Sequence, residues 1–213
     1  YDDLGRRTGV TTSRGGWRFV YDAGGRLVEW EDPAGETVQA TYDAAGNRMS
    51  VSSGALTTRY TANRMNQYTA VADWTYGYDT EGNLARRASA TEEWTYAYDS
   101  DGQLIEVAGP AGATAYEYDE LGNRCAVVQD GRRVEYLVDP LGGSSIIAAY
   151  DGTGAVLARY AGFLGPVAQV APDGTACFYD FDYRGNTSAL TNAAGAVVNS
   201  YAYGPFGEEL EAI

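Results

Sequence analysis

The stretch "WTYGYDTEGNL" (Trp74 to Leu84) returns twenty residues later as "WTYAYDSDGQL" (Trp94 to Leu104), with all three aromatics, the Asp and the Gly in place. Trp74, Tyr76 and Tyr78 fall on one parity, and Thr75 and Gly77 on the other, which is the period of a β-strand. Trp94, Tyr96 and Tyr98 repeat that alternation, as do Tyr116 with Tyr118 and Tyr201 with Tyr203. Aromatic and β-branched side chains suit such a pleated surface. The D-x-x-G that follows has the chemistry of a turn: Asp at its first position can accept from a main-chain N–H two residues on, and Gly at its fourth tolerates positive φ. The turn residues this predicts are Asp22 and Gly25, Asp43 and Gly46, Asp79 and Gly82, Asp99 and Gly102, and Asp119 and Gly122. A second alternating segment follows each turn, as in Asn123 to Val128.

The complete pattern Y-D-x-x-G starts at Tyr1, Tyr21, Tyr42, Tyr78, Tyr98, Tyr118 and Tyr150, and the spacings are 20, 21, 36, 20, 20 and 32. Tyr60 in "RYTANRMNQYT" marks a degenerate copy halfway through the gap of 36, and "EYLVDPLGG" at Tyr136 divides the last gap. Looser copies follow at Tyr160, Tyr179 and Tyr203. Less regular turns such as "DPAG", "SSG", "AGPAG" and "QDG" separate the units. Each unit therefore reads as two strands of about six residues, and some eleven units predict about twenty strands, too many for a flat open sheet. The expected fold is all-β: a long antiparallel meander of tandem hairpins that coils into a spiralling sheet. No linker or charge block interrupts the repeat, so 1–213 reads as a single domain. Tyr1 opens in the middle of a repeat, so the chain is expected to be part of a longer one.

Composition removes several chemistries. There is no His and no Lys, so all fifteen positive charges are Arg. A Ser-His-Asp triad, a His-ligated metal, a lysine Schiff base and a P-loop are all excluded. A formal charge of -14 argues against binding nucleic acid or anionic membrane surfaces, and no apolar run approaches a bilayer span. Cys125 and Cys177 lie in no ligand-rich setting. Two thiols or one disulfide both fit; a chain able to bury a core has little need of a single staple, which favours thiols.

The tandem Y-D-x-x-G-N/R units, together with "YTANRMNQYTAV" (Tyr60 to Val71), resemble the YD-repeat or Rhs (rearrangement hot spot) proteins. "DYRGNTSALTNAAGAVVNSYAYGPFGE" (Asp182 to Glu208) is similar to the segment leading into their core. The resemblance implies a sheet that winds into a hollow shell, as in bacterial Rhs and Tc toxins, where it encloses a C-terminal toxic domain, or into the extracellular barrel of the related teneurins. It implies a secreted or surface-exposed bacterial protein whose partners are other shell segments and an enclosed cargo, with end-to-end self-association as a further expectation, because an unpaired terminal strand invites pairing. It also implies self-cleavage at an aspartyl-protease-like D-P-x-G segment beyond the repeats. Asp139-Pro140-Leu141-Gly142 superficially matches that motif but sits in phase with the repeats, so a Pro-containing turn is expected there and no protease residue is assigned.

Other candidate sites weigh toward structure. Asp99 and Asp101 have the look of a calcium loop but lack its further ligands, and no metal or other cofactor is expected. Glu92 and Glu93 read as a solvated strand start without a partner. Trp74, Tyr76, Trp94 and Tyr96 are the candidates for glycan stacking, which defines the alternative reading, an adhesin-like carbohydrate- or protein-binding module; recurrence of aromatics at one place in every unit favours cross-strand packing instead. Arg6, Arg26, Arg48 and Arg124 follow their turn Gly, with Arg184 just before one, and are expected to pair with the Asp or Tyr of a neighbouring repeat. Asn186-Thr187-Ser188 is a formal glycosylation sequon. The function expected is a structural wall segment without enzymatic activity.

Overall fold

The computed structural model describes residues 1–12, 15–139, 145–162 and 165–212; among them there is no helix. The chain divides into two compact units, Tyr1–Tyr96 and Ala97–Ile213. The first contains β1 (Gly9–Thr12), β2 (Gly15–Tyr21), β3 (Leu27–Glu31), β4 (Thr37–Tyr42), β5 (Arg48–Ser53), β6 (Leu56–Ala62), β7 (Tyr68–Val71), β8 (Trp74–Tyr78), β9 (Leu84–Ala88) and the start of β10 (Glu93–Tyr98). Each pairs antiparallel with the next, from β1 to β10. The second contains β11 (Leu104–Gly109), β12 (Gly112–Tyr118), β13 (Arg124–Gln129), β14 (Arg132–Val138), β15 (Ile146–Asp151), β16 (Val156–Gly162), β17 (Pro166–Val170), β18 (Ala176–Phe181), β19 (Thr187–Asn192), β20 (Val197–Tyr203) and β21 (Glu209–Ala212). These also pair in chain order, each antiparallel to the next. The antiparallel meander expected from the repeat is what each unit is built from.

Turn chemistry sets this order. At one end of the hairpins, tight two-residue loops join the strands: Asp130 (φ 50°) and Gly131 (φ 73°) connect Gln129 to its partner Arg132, the left-handed pair that a type I′ turn requires. At the other end stand the turns at Asp22, Asp43, Asp79 and Asp119, and each of these is followed by a bulge. Val20 pairs with Glu29 but Tyr21 pairs with Leu27, so Val28 has no partner; Met49, Ala85 and Cys125 are left over in the same way. The extra residue compensates for the odd loop length and keeps the strand alternation in phase with the next repeat.

Residues opposite one another in these ladders share a face. One face of the first unit is apolar and aromatic: Phe19 faces Trp30, Ala40 faces Val51, Tyr60 faces Val71 and Tyr76 faces Arg87. Phe19, Trp30 and Ala40 are buried, packed by Val10, Trp17, Tyr21, Leu27, Val38, Tyr42 and Val51. The other face is polar, with Arg18 against Glu31 (3.5 Å), Gln39 on Glu29 (3.0 Å), Thr41 on Ser50 (2.6 Å) and Ser52 on Thr57 (3.0 Å). Of the nine buried hydrophobic residues described, seven are Ala. Among the described residues, strands within each unit make their main contacts with their chain neighbours. Apart from Phe19 and Trp30, the large side chains stay partly open, whereas a methyl group is small enough to be shielded by its own neighbours.

Candidate functional site

The repeated turn is the first place to look for chemistry, because it gathers most of the carboxylates. In the turn at Asp22, the carbonyl of Asp22 accepts from the N–H of Gly25 (3.0 Å) and its N–H donates to the carbonyl of Arg26 (2.9 Å). The N–H of Arg26 then donates to Asp22 Oδ1 (2.9 Å), and Arg26 Nε to Oδ2 (2.7 Å). Both carboxylate oxygens are thus engaged by residue i+4 of the turn. In sister turns Oδ1 also accepts from the main-chain N–H two residues on, as the sequence pattern suggests: Leu121 to Asp119 and Asp101 to Asp99, both at 2.9 Å. The same two backbone bonds close the turns at Asp43 and Gly46, Asp79 and Gly82, Asp99 and Gly102, and Asp119 and Gly122. Asn63 and Asn66 reproduce them in the degenerate copy, Asn66 adopting φ 61° in the glycine position. The "DPAG" turn at Asp32, expected to be less regular, has this geometry too.

These bonds hold the carboxylates ionised. The main-chain N–H of Arg26, then its side chain, lowers the pKa of Asp22 below its ordinary value. The side-chain amide of Asn47 does the same for Asp43, and that of Asn123 for Asp119. A carboxylate engaged in this way is a poor general acid.

A second set of bonds joins one turn to the next. Arg6 Nη1 donates to the carbonyl of Asp22 (3.0 Å), Arg26 Nη1 to that of Asp43 (2.9 Å), Asn47 Nδ2 to Asn66 Oδ1 (2.9 Å) and Gln67 Nε2 to the carbonyl of Gly82 (3.0 Å). In the second unit Arg184 Nη1 reaches the carbonyl of Gly204 (2.9 Å). At four turns the preceding tyrosine reaches back. Tyr21 donates to the carbonyl of Arg7 (2.9 Å), Tyr42 to that of Leu27 (2.7 Å), Tyr78 to that of Tyr68 (2.8 Å) and Tyr118 to that of Leu104 (2.8 Å). Each acceptor lies five residues beyond the Asp or Asn of the preceding turn. The expectation for the arginines is corrected in one respect: Arg6 and Arg26 make their ion pairs with Asp2 and Asp22 of their own turns. What they contribute to the neighbouring repeat is a bond to a main-chain carbonyl and stacking on the ring of Tyr21 (5.0 Å) or Tyr42 (5.3 Å).

The aromatic candidates are brought together. Trp74 on β8 and Trp94 on β10 flank Arg87 on β9, whose guanidinium carbon lies 4.2 Å from the centre of the Trp74 ring and 5.6 Å from that of Trp94. Tyr76 is paired directly with Arg87, while Tyr96 shares the Trp94 parity; all five side chains are half-buried. Sequence reading missed Arg87. The signal was present, since alignment of the repeats puts an apolar residue at its position in most other copies.

Glu93 is also corrected. It accepts from Arg86 Nε (2.9 Å) and Nη2 (3.0 Å), and this pair lowers its pKa. Asp99 Oδ1 accepts the main-chain N–H groups of Asp101 and Gln103, both at 2.9 Å, so the supposed calcium loop is a turn. Among the described residues no group of His, Cys, Asp and Glu is arranged to hold a metal ion. Cys125 and Cys177 are free, half-buried thiols. Asn186 Nδ2, in the sequon, donates to Asp182 Oδ2 (2.9 Å). Asp139 is described, but Pro140, Leu141 and Gly142 lie outside the described residues.

Three comparisons bear on this arrangement. A family model described as Teneurin YD-shell matches residues 6–210. A search of solved structures found "Crystal Structure of TcdB2-TccC3-TEV", 14% identical, with a TM-score of 0.50, covering 92% of this chain and 13% of that one. "Crystal Structure of TcdB2-TccC3-Cdc42" matches at 14% identity and a TM-score of 0.47, covering 93% of this chain and 13% of that one. The first of these likenesses is one of fold alone. A comparison with curated proteins found no match.

Proposed function

The chain belongs to the Teneurin YD-shell family, and from that premise we propose that it is a wall segment: a stretch of repeats whose work is to be a continuous, stapled sheet around or beside another part of a longer polypeptide. The observation that carries this reading is the use of the repeat's signature residues. Asp, Gly and Tyr, the residues that define each unit, are consumed in bonds within a turn or to the adjacent repeat, leaving the signature no spare functional group for chemistry. On this reading the repeat run is one structural domain, has no catalytic role, coils as its twist accumulates, and belongs to a secreted or surface-exposed protein.

The chain spans about 13% of the solved structures it resembles, so enclosure of a cargo is part of the proposal, as is association with further shell segments. Apolar residues support the second point. Leu137, Phe178 and Val197 share one face of the second unit and are 48%, 40% and 61% exposed. Apolar groups left open in this way mark contact surfaces. The carbohydrate alternative loses its main support, since the guanidinium of Arg87 occupies the slot between the two indoles.

Single-particle electron microscopy of the natural polypeptide tests the proposal. A continuous wall surrounding internal density is the expected image; an open ribbon with the remaining domains lying free would refute it.

A further inference from the structure

Aligned on their turns, the repeats place one return-strand residue, eight positions after the first turn residue, directly opposite the residue three positions before it. Trp30 faces Phe19 in this way, Val51 faces Ala40, Val71 faces Tyr60, Val127 faces Tyr116 and Leu190 faces Tyr179. Two occupants are charged: Arg159 on β16, which lies opposite Ala148 and is exposed, and Arg87 on β9, which lies opposite Tyr76 and is half-buried. The surroundings of Arg87 are distinctive as well. Trp74 and Trp94 hold the position five before the turn, where Trp17, Val38, Thr58, Thr114 and Val134 stand in other repeats, and only around Arg87 do two consecutive repeats both put Trp there.

A residue that breaks a repeated pattern calls for a local explanation, because the fold is already served by the residue it replaces. Val at this position would pack against the rings without desolvating a charge. Arg87 makes no hydrogen bond or ion pair with any described residue, and its Nε and the Nε1 of Trp94 are buried without a partner. Arg86, next to it on the opposite face, has the carboxylate of Glu93. Arg87 has no such counter-charge, only the two indoles. The buried Nε is closed to a ligand, but Nη1 and Nη2 are not buried and bond no described residue, so they can still take an acceptor.

We propose that the Trp74, Arg87 and Trp94 cluster is a recognition site for a carboxylate carried by an acidic peptide segment. The planar guanidinium offers paired N–H donors in the geometry of a carboxylate, and the rings on either side fix that plane before a ligand arrives. Stacking between indoles also limits access of water to the cation, which strengthens the contact with an anion. A neutral sugar is excluded from the same slot because the guanidinium already fills it. The proposal stands apart from the wall reading: it needs only this face to be reachable by a peptide.

Titration calorimetry on the chain with N-acetylated, amidated hexaglutamate, hexaglutamine and tri-galacturonate as probes tests it. Hexaglutamate is expected to bind saturably, with affinity lowered about tenfold or more in Arg87→Met, whose unfolding midpoint stays equal to or above that of the parent. Absence of saturable hexaglutamate binding, equal binding of hexaglutamine, preference for tri-galacturonate, or undiminished binding by Arg87→Met would each overturn it. Should Arg87→Met fail to fold, Arg87→Lys decides: it keeps the charge and loses the fork, so a fall of about tenfold supports the site and unchanged affinity removes it.

Discussion

The hydroxyl of Tyr42 donates to the main-chain carbonyl of Leu27 at 2.7 Å, tying the strand that enters one turn to the strand that left the turn before it. Tyr42 also carries the guanidinium of Arg26 on its ring, while Arg26 Nη1 binds the carbonyl of Asp43. Two adjacent hairpins are thus joined by bonds running in both directions. Repetition of this arrangement extends the sheet without a second layer.

Glycine in the fourth turn position serves two purposes at Gly122. Its φ is +81°, and a Cβ there would sit 3.0 Å from Gln103 Nε2 of the neighbouring turn. Gly46 has φ +91° with nothing within 4 Å. Gly122→Ala and Gly46→Ala should both destabilise by about 1 kcal/mol from backbone strain. The Gly122 variant should lose more, because Gln103 must move. Urea unfolding of the two variants measures the difference.

Acid should unfold the protein through its turns. Asp22, Asp43 and Asp119 have folded-state pKa values below ordinary, chiefly through bonds from Arg26, Asn47 and Asn123. A depressed carboxylate pKa contributes stability that is fully present above the unfolded value of about 3.9 and is lost as pH falls through the folded value. Lowering the pH from 7 toward the pI of about 4.3 also relieves repulsion from the charge of -14. The unfolding midpoint should therefore hold or rise from pH 7 to about 4.5 and drop below about pH 4. Asp119→Asn should flatten part of that drop, as a pH series of thermal melts would reveal.

Ala126 is fully buried on β13, between Glu117 on β12 and Glu135 on β14. Arg133 bridges those two carboxylates, with Nη2 2.9 Å from Glu117 and Nε 2.7 Å from Glu135. Ala126→Leu should push this bridge aside and destabilise by about 1 to 3 kcal/mol, the usual range for overpacking. Arg133→Ala should cost less than about 1 kcal/mol, since the bridge is largely exposed. Chemical denaturation of both variants checks the order.

The turn residues and the strand parity were legible in the sequence because they are local. Asp22 and Gly25 declare a turn within four residues, and Trp74, Tyr76 and Tyr78 declare a face within five. Contacts that depend on register were not legible. Glu93 looked unpartnered because Arg86 is brought opposite it only by the pairing of β9 with β10. The acceptor for Tyr42 was hidden for a similar reason: Leu27 is brought beside it only by the pairing of β3 with β4. Arg87 was available in principle, as one of two arginines, with Arg159, in a mostly apolar row, but its significance emerges only when the two tryptophans are seen on either side.

The most direct test of the account removes one hydroxyl at a time. Tyr21→Phe, Tyr42→Phe, Tyr78→Phe and Tyr118→Phe each delete one inter-repeat bond and leave the ring in place. If the signature tyrosine is a structural staple, each variant should lose about 0.5 to 1.5 kcal/mol in equilibrium unfolding, with similar losses at all four positions. Losses near zero throughout, or a loss confined to one tyrosine, would contradict the claim that the repeat is built to hold a wall together.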